Sequence, residues 1–261
     1  MLPCMFNFIC YKDIDYIQND FWEHLNSYFW NNDKIKTKQQ RIILFLHFHP
    51  FKPFLHSDTT RIIVGTLPPP RFCTGDFKVK DVNFCYGSCD GLLWPCLEKI
   101  YHQTWLYDNS LEAVLQRKEF LIKNKIGICD IVDSCSREKI DASDLGMSDI
   151  KTRDILGYLK EYKNIHTLIF TGGNSKNGPE YFFRKLLKQT KITYDCISNQ
   201  TPKVHQFSFD NRTIKTISLT APSNAANRAI GATTLYKENK KANPNYSTFE
   251  FRVEQYTKVF L

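Results

Sequence analysis

Four short runs of apolar, largely β-branched residues stand out along the chain. They are Arg61-Ile62-Ile63-Val64-Gly65-Thr66, Ile126-Gly127-Ile128-Cys129-Asp130, Thr167-Leu168-Ile169-Phe170-Thr171 and Ile214-Lys215-Thr216-Ile217-Ser218-Leu219. Runs of this kind predict strands covered on both faces. Between and around them, Leu92 to Thr104, Leu111 to Ile122, Ile150 to Tyr162 and Pro179 to Lys188 carry apolar residues three and four apart, which predicts helices. Strands alternating with helices give an α/β fold, expected as a three-layer α/β/α arrangement around a central four-stranded, mainly parallel sheet. Ser247 followed three residues later by Glu250 has the spacing of a capping box, so a terminal helix runs on through Phe251, Val253, Tyr256 and Val259. Residues 1 to about 50 hold Phe21, Trp22, Leu25, Phe29 and Trp30 at near-helical spacing. They are expected to form a partly helical extension packed on one domain that spans 51–261.

Composition narrows the class. The chain has 261 residues, 42% of them hydrophobic, which is enough apolar matter for a folded core and argues against disorder. The longest apolar run, Ile42 to Leu46, is too short to cross a bilayer, and the start has no leader-like pattern. Nine cysteines, odd in number and scattered, point to reduced thiols in a cytoplasmic protein, and Cys85, Cys89 and Cys96 lack the paired spacing of a metal site. No metal or cofactor is expected. The 35 Lys and Arg against 27 Asp and Glu leave a net charge of +8, which favours a polyanionic partner, nucleic acid first among them.

In open α/β sheets a ligand sits beyond the carboxyl ends of the strands, so the residues that follow each run are the ones that can carry chemistry. After the first run, Gly65, Thr66 and Leu67 lead into Pro68-Pro69-Pro70-Arg71, a loop stiffened by its prolines. Asp81 to Pro95 then supplies Tyr86, a small-residue turn through Asp90, and a helix start with Trp94. The second run ends in Asp130, and the fourth in Thr220-Ala221-Pro222-Ser223-Asn224-Ala225-Ala226-Asn227-Arg228. The third is followed by Thr171-Gly172-Gly173, read as a connector, with a phosphate contact through free helix amides as the alternative.

This order of a strand, Gly-x-x-Pro, an aromatic, a turn and a Trp-bearing helix resembles the uracil-DNA glycosylase superfamily, and its mismatch and thymine branch most. The resemblance runs from about Arg61 to Arg228. It implies a fold of that type and a pocket formed by Gly65, Thr66, Leu67, Tyr86 and Asp130. In that pocket Tyr86 stacks on a base swung out of DNA. It also implies that Pro69, Arg71, Ser223, Asn224, Asn227 and Arg228 face the DNA, with Asn224 to Asn227 filling the gap left by the everted nucleotide. Lys237, Lys240 and Lys241 extend the positive surface. The partner is DNA, not a membrane, and the protein is expected to act as a monomer.

The chain departs from the family in three places, one of them the second motif, where Leu219 or Ala221, depending on register, stands at the His or Asn that many relatives carry to stabilise the departing base. The position that holds the attacking water carries Leu67, and the base-reading Asn is replaced by Asp130. An ionised carboxylate only accepts hydrogen bonds, so it suits the exocyclic amine of cytosine, although Asp130 could instead cap a turn or act protonated on uracil. Asp81 and Asp90 are the candidates to orient the water. The expected activity is monofunctional excision of a modified or deaminated pyrimidine, either in repair or against phage DNA carrying modified cytosine.

Overall fold

The structure, a computed structural model, describes residues 44–173 and 175–261. The expectation for the extension lies outside the described residues as far as position 43. Strands β1 (Phe45–Phe48), β2 (Arg61–Gly65), β3 (Ile126–Asp130), β4 (Val132–Arg137), β5 (Met147–Thr152), β6 (Thr167–Phe170), β7 (Asp195–Ser198), β8 (Lys203–Phe209) and β9 (Arg212–Ser218) form two sheets. The larger runs β3-β2-β6-β9-β8-β7 and the smaller β1-β4-β5. The four runs predicted as strands are β2, β3, β6 and β9, adjacent and parallel to one another. The expected four-stranded sheet is the centre of a wider, mixed one, because β8 and β7 add antiparallel to the β9 edge. Lys203-Val-His-Gln-Phe-Ser-Phe209 alternates in polarity and has one fully buried residue, Phe207, so it lacks the continuous apolar run of its neighbours.

The helices are α1 (Arg71–Thr74), α2 (Leu93–Tyr101), α3 (Leu111–Lys123), α4 (Ile155–Glu161), α5 (Pro179–Gln189), α6 (Asn227–Ala232), α7 (Thr234–Ala242) and α8 (Thr248–Phe260). Successive strand residues point to opposite faces and build two cores. Ile63, Ile128, Ile169 and Ile217 pack with Trp94, Leu97, Phe120 and Tyr256 of α2, α3 and α8. Ile62, Val64, Leu168 and Phe170 pack with Ile155, Leu159, Phe183 and Leu187 of α4 and α5. Each such side chain contributes about 1.5–3 kcal/mol of burial, which is what holds helices on both faces of the sheet.

One predicted helix starts late. Ile150 to Thr152 belong to β5, paired antiparallel with β4, and α4 begins only where Asp154 accepts a hydrogen bond from the Gly157 amide at 2.8 Å. The small sheet is set beside the end of β2 by the bonds Ile131 N–H to Gly65 O (2.8 Å) and Val132 N–H to Thr66 O (3.0 Å). The chain therefore leaves the large sheet at Ile131 and enters the small one next to the residues that the sequence marked for chemistry.

Helix α8 begins with the expected capping box: Ser247 Oγ accepts from the Phe249 and Glu250 amides, and the Glu250 carboxylate accepts from the Ser247 amide. Replacing Ser247 with Ala is expected to lower stability by about 1 kcal/mol, read as a lower urea midpoint at unchanged slope.

Candidate active site

Gly65 and Asp130 are register partners at the carboxyl ends of β2 and β3. A β-carbon on Gly65 would stand 2.1 Å from Asp130 Oδ1 and 2.2 Å from the Tyr86 hydroxyl. Only glycine allows both side chains to close on the backbone there. Tyr86 arrives from a strained turn, with φ at 57° in the left-handed region that disfavours a bulky residue. The turn is pinned by Val82 N–H to Gly87 O (2.8 Å), an approach so close that a β-carbon on Gly87 would lie 1.8 Å from Val82 O. The Tyr86 hydroxyl is 2.7 Å from Thr171 Oγ1 at the end of β6. Burial, and then the charge of Asp130, push the phenol well above its usual range, so it stays neutral.

Sequence reasoning missed His49. Its Nε2 lies 2.8 Å from Asp130 Oδ2, and its Nδ1 accepts from the Phe51 amide at 3.0 Å. With Nδ1 occupied as an acceptor, the ring proton sits on Nε2, so the histidine donates and the carboxylate accepts. His49 and Asp130 are both buried. Because His49 follows β1, the small sheet is what brings it to a residue 81 positions away.

The two acids expected to orient water are otherwise engaged. Asp81 is fully buried, and both its oxygens are taken: Arg71 grips it through Nε (2.7 Å) and a terminal guanidinium nitrogen (2.9 Å), while the amides of Lys78 (2.9 Å) and Cys89 (2.8 Å) donate to it. Although burial opposes ionisation, these bonds together hold its carboxyl well below the usual range, and it has no lone pair to spare for water. Asp90 is exposed and pairs with Lys78 Nζ (2.7 Å) and Arg71 (3.2 Å). Arg71, expected to face DNA, ties the 71–90 segment together through Asp81, Asp90 and Ser88. Leu67 is partly buried against the α4–α5 core.

The polar loop after β9 joins the same assembly. Gly91 bridges Ser223, and the Leu92 amide donates to Pro222 O at 2.8 Å. Arg252 of α8 holds the loop through Ala221 O (3.0 Å), Ser223 O (2.6 Å) and Asn227 Oδ1 (2.9 Å), and Tyr256 donates to Thr220 O (2.6 Å). Asn224 and Arg228 are exposed, Ser223 and Asn227 half-buried. The proline turn, led by Pro69 into α1, is thus linked to this loop through Arg71, Ser88 and Gly91.

A second missed residue is Asp144, in the loop between β4 and β5. The Thr66 hydroxyl faces its Oδ2 at 3.4 Å, and Asn177 Nδ2 donates to its backbone oxygen at 3.0 Å. Burial pushes its carboxyl up to about 6. The signal available in sequence was the acidic pair of Asp141 and Asp144 between two β-like segments.

At the opposite end of the sheet lies a depression of about 460 Å³ lined by Arg61, Lys125, His166, Lys215 and Lys258 among others. Arg61 donates to Val259 O (3.0 Å) at the end of α8, and Lys258 lies in the last turn of α8, where cations complement helix carbonyls.

No protein-family model matches the chain, and no curated protein matches it. Among solved structures it is similar to the solution NMR structure of "a putative Uracil DNA glycosylase" from Methanosarcina acetivorans, at 16% identity and a TM-score of 0.49 over 83% of this chain and 97% of that one.

Proposed function

We propose that the protein is a monofunctional DNA glycosylase that swings a pyrimidine out of DNA and hydrolyses its bond to deoxyribose. The observation that carries this reading is the convergence of Tyr86 and Asp130 on Gly65, with the Ala221–Arg228 loop latched to the same turn. A ring with a half-buried face, an edge-reading carboxylate and an exposed polar loop are the three parts that extraction of one base requires. Asp130 reads the base edge, Tyr86 packs on the base, and Asn224 with Arg228 follows the backbone.

The finer reading is the substrate. With His49 donating to Oδ2, that oxygen is occupied, and Oδ1, the atom beside Gly65, is the one left to accept from a base. It matches a base edge that donates, so the proposed substrate is a modified cytosine that keeps its exocyclic amine, and the proposed setting is attack on phage DNA bearing such bases. Uracil and mismatch repair is the alternative. A non-catalytic DNA-binding module is the second reading, favoured by Leu67 at the family's water position.

Duplexes carrying uracil, thymine mismatches, cytosine, hydroxymethylcytosine or glucosylated cytosine, incubated with protein and then alkali, test all three. Strand breaks confined to cytosine derivatives support the proposal. Breaks at uracil alone move it to repair, and binding without breaks on any duplex favours the binding module.

Binding itself gives a further expectation. Arg228, Lys237 and Lys241 are exposed around α6 and α7. Replacing each by Ala is expected to reduce the slope of log K against log salt by about 0.9 for every phosphate that is no longer neutralised, equally for every sequence tested by fluorescence anisotropy.

A further inference from the structure

Hydrolysis at C1′ needs a group to take a proton from water, and Leu67 cannot do it. Asp81 is saturated by Arg71 and two amides, and Asp90 is exposed and paired with Lys78. Asp130 gives Oδ2 to His49 and, in the reading above, Oδ1 to the base. Asp133, three residues on, is exposed and paired with Arg153, whereas Asp144 turns its carboxylate to the Thr66 hydroxyl, one residue from Leu67.

We propose, resting on the glycosylase reading, that Asp144 is the catalytic base that orients and deprotonates the attacking water, replacing from the β4–β5 loop the side chain that Leu67 lacks. The water oxygen bonds to C1′ and the C1′–N bond breaks with its electron pair going to the base. The water proton passes to Asp144, and solvent protonates the departing base.

The loop is built to hold this position. Arg137, buried in β4, donates to Ser143 O (2.6 Å) and to His47 Nδ1 (2.8 Å), while Asn177 donates to the Asp144 carbonyl. Burial and the Arg137 guanidinium hold His47 near 4, so it stays neutral and keeps accepting from Arg137. The groups facing the Asp144 carboxyl are the Thr66 hydroxyl and Arg137, which favour its ionised form, and Asp130, which opposes it; burial outweighs them and sets it near 6. Such a carboxylate is more basic than an exposed one yet still ionised at neutral pH, which suits a general base.

The sign of the pH dependence follows. A base works when unprotonated, so the single-turnover rate on the cleaved duplex should fall about tenfold per pH unit below about 6. Asp144→Asn should lower the rate at pH 8 at least about 100-fold and erase that limb, with DNA affinity unchanged. Because burial disfavours the charge, the variant should be at least as stable as the wild type, which excludes misfolding as the cause. Thr66→Val removes a bond to the ionised form and should move the limb to higher pH.

A variant that keeps the wild-type rate, or keeps the limb, overturns the proposal. So does a carboxyl carbon-13 titration of Asp144 in the free protein that falls in the ordinary aspartate range, a result independent of any substrate. A wild type that leaves every duplex intact removes the glycosylase reading and this inference with it, whereas a cleaving wild type with an unaffected Asp144→Asn removes this inference alone.

Discussion

Alanine at position 65 is expected to reduce base excision by about four orders of magnitude and to destabilise the protein by about 1–3 kcal/mol. The added carbon would sit 2.1 Å from Asp130 Oδ1, 2.2 Å from the Tyr86 hydroxyl and 2.8 Å from its ring carbon, all inside van der Waals contact. Neither neighbour is free to retreat. Asp130 is fastened to His49, and Tyr86 is fastened to Thr171 at its tip and to the crowded Val82–Gly87 turn at its backbone. Room for the methyl group therefore comes from displacing both by about an ångström, and misplacement on that scale costs about a hundredfold for each group. Single-turnover excision and urea denaturation measure the two effects. Activity within tenfold of wild type would mean that the base does not lie against this edge of the sheet.

The centre of the fold was legible because buried parallel strands write themselves as unbroken apolar runs: Ile62-Ile63-Val64 and Leu168-Ile169-Phe170 feed both cores at once. Strands with one solvated face did not announce themselves. Val132-Asp-Ser-Cys-Ser-Arg137 and Met147-Ser-Asp-Ile-Lys-Thr152 are mostly polar, and Ile150 stands five residues before Ile155, outside the three- and four-residue spacing that Ile155, Leu156, Leu159 and Tyr162 keep. The same blind spot governed the site. Gly65, Tyr86 and Asp130, which the structure brings together, could be singled out because they follow apolar strands or a marked turn. His49 and Asp144 were not, because each is carried by the small sheet, whose strands the pattern did not yield. Arg71 and Asp81 look like separate surface charges in sequence, since the ten-residue spacing between them gives no hint that the carboxylate is buried within the guanidinium's reach.

Replacing Asp130 with Asn is expected to invert base preference. The Phe51 amide keeps His49 Nδ1 an acceptor, so Nε2 always presents a proton to position 130. An asparagine there must turn its oxygen to His49, which places its NH₂ group where Oδ1 now stands beside Gly65 and Tyr86. The site then offers a donor in place of an acceptor, matching the O4 carbonyl of uracil or thymine and opposing the amine of cytosine. A site shaped around one hydrogen-bond polarity rejects the other by about 10⁴-fold, so the ratio of rates for a cytosine derivative over uracil should swing by at least that factor. Competing the two duplexes in one reaction reads the ratio directly and is insensitive to the amount of active protein. His49→Ala in the Asp130→Asn background frees the amide to rotate and should shrink the swing, since either end could then face the base. An Asp130→Asn protein with unchanged preference would show that the carboxylate does not read the base, and that the His49 pair serves only to fasten β3 to the small sheet.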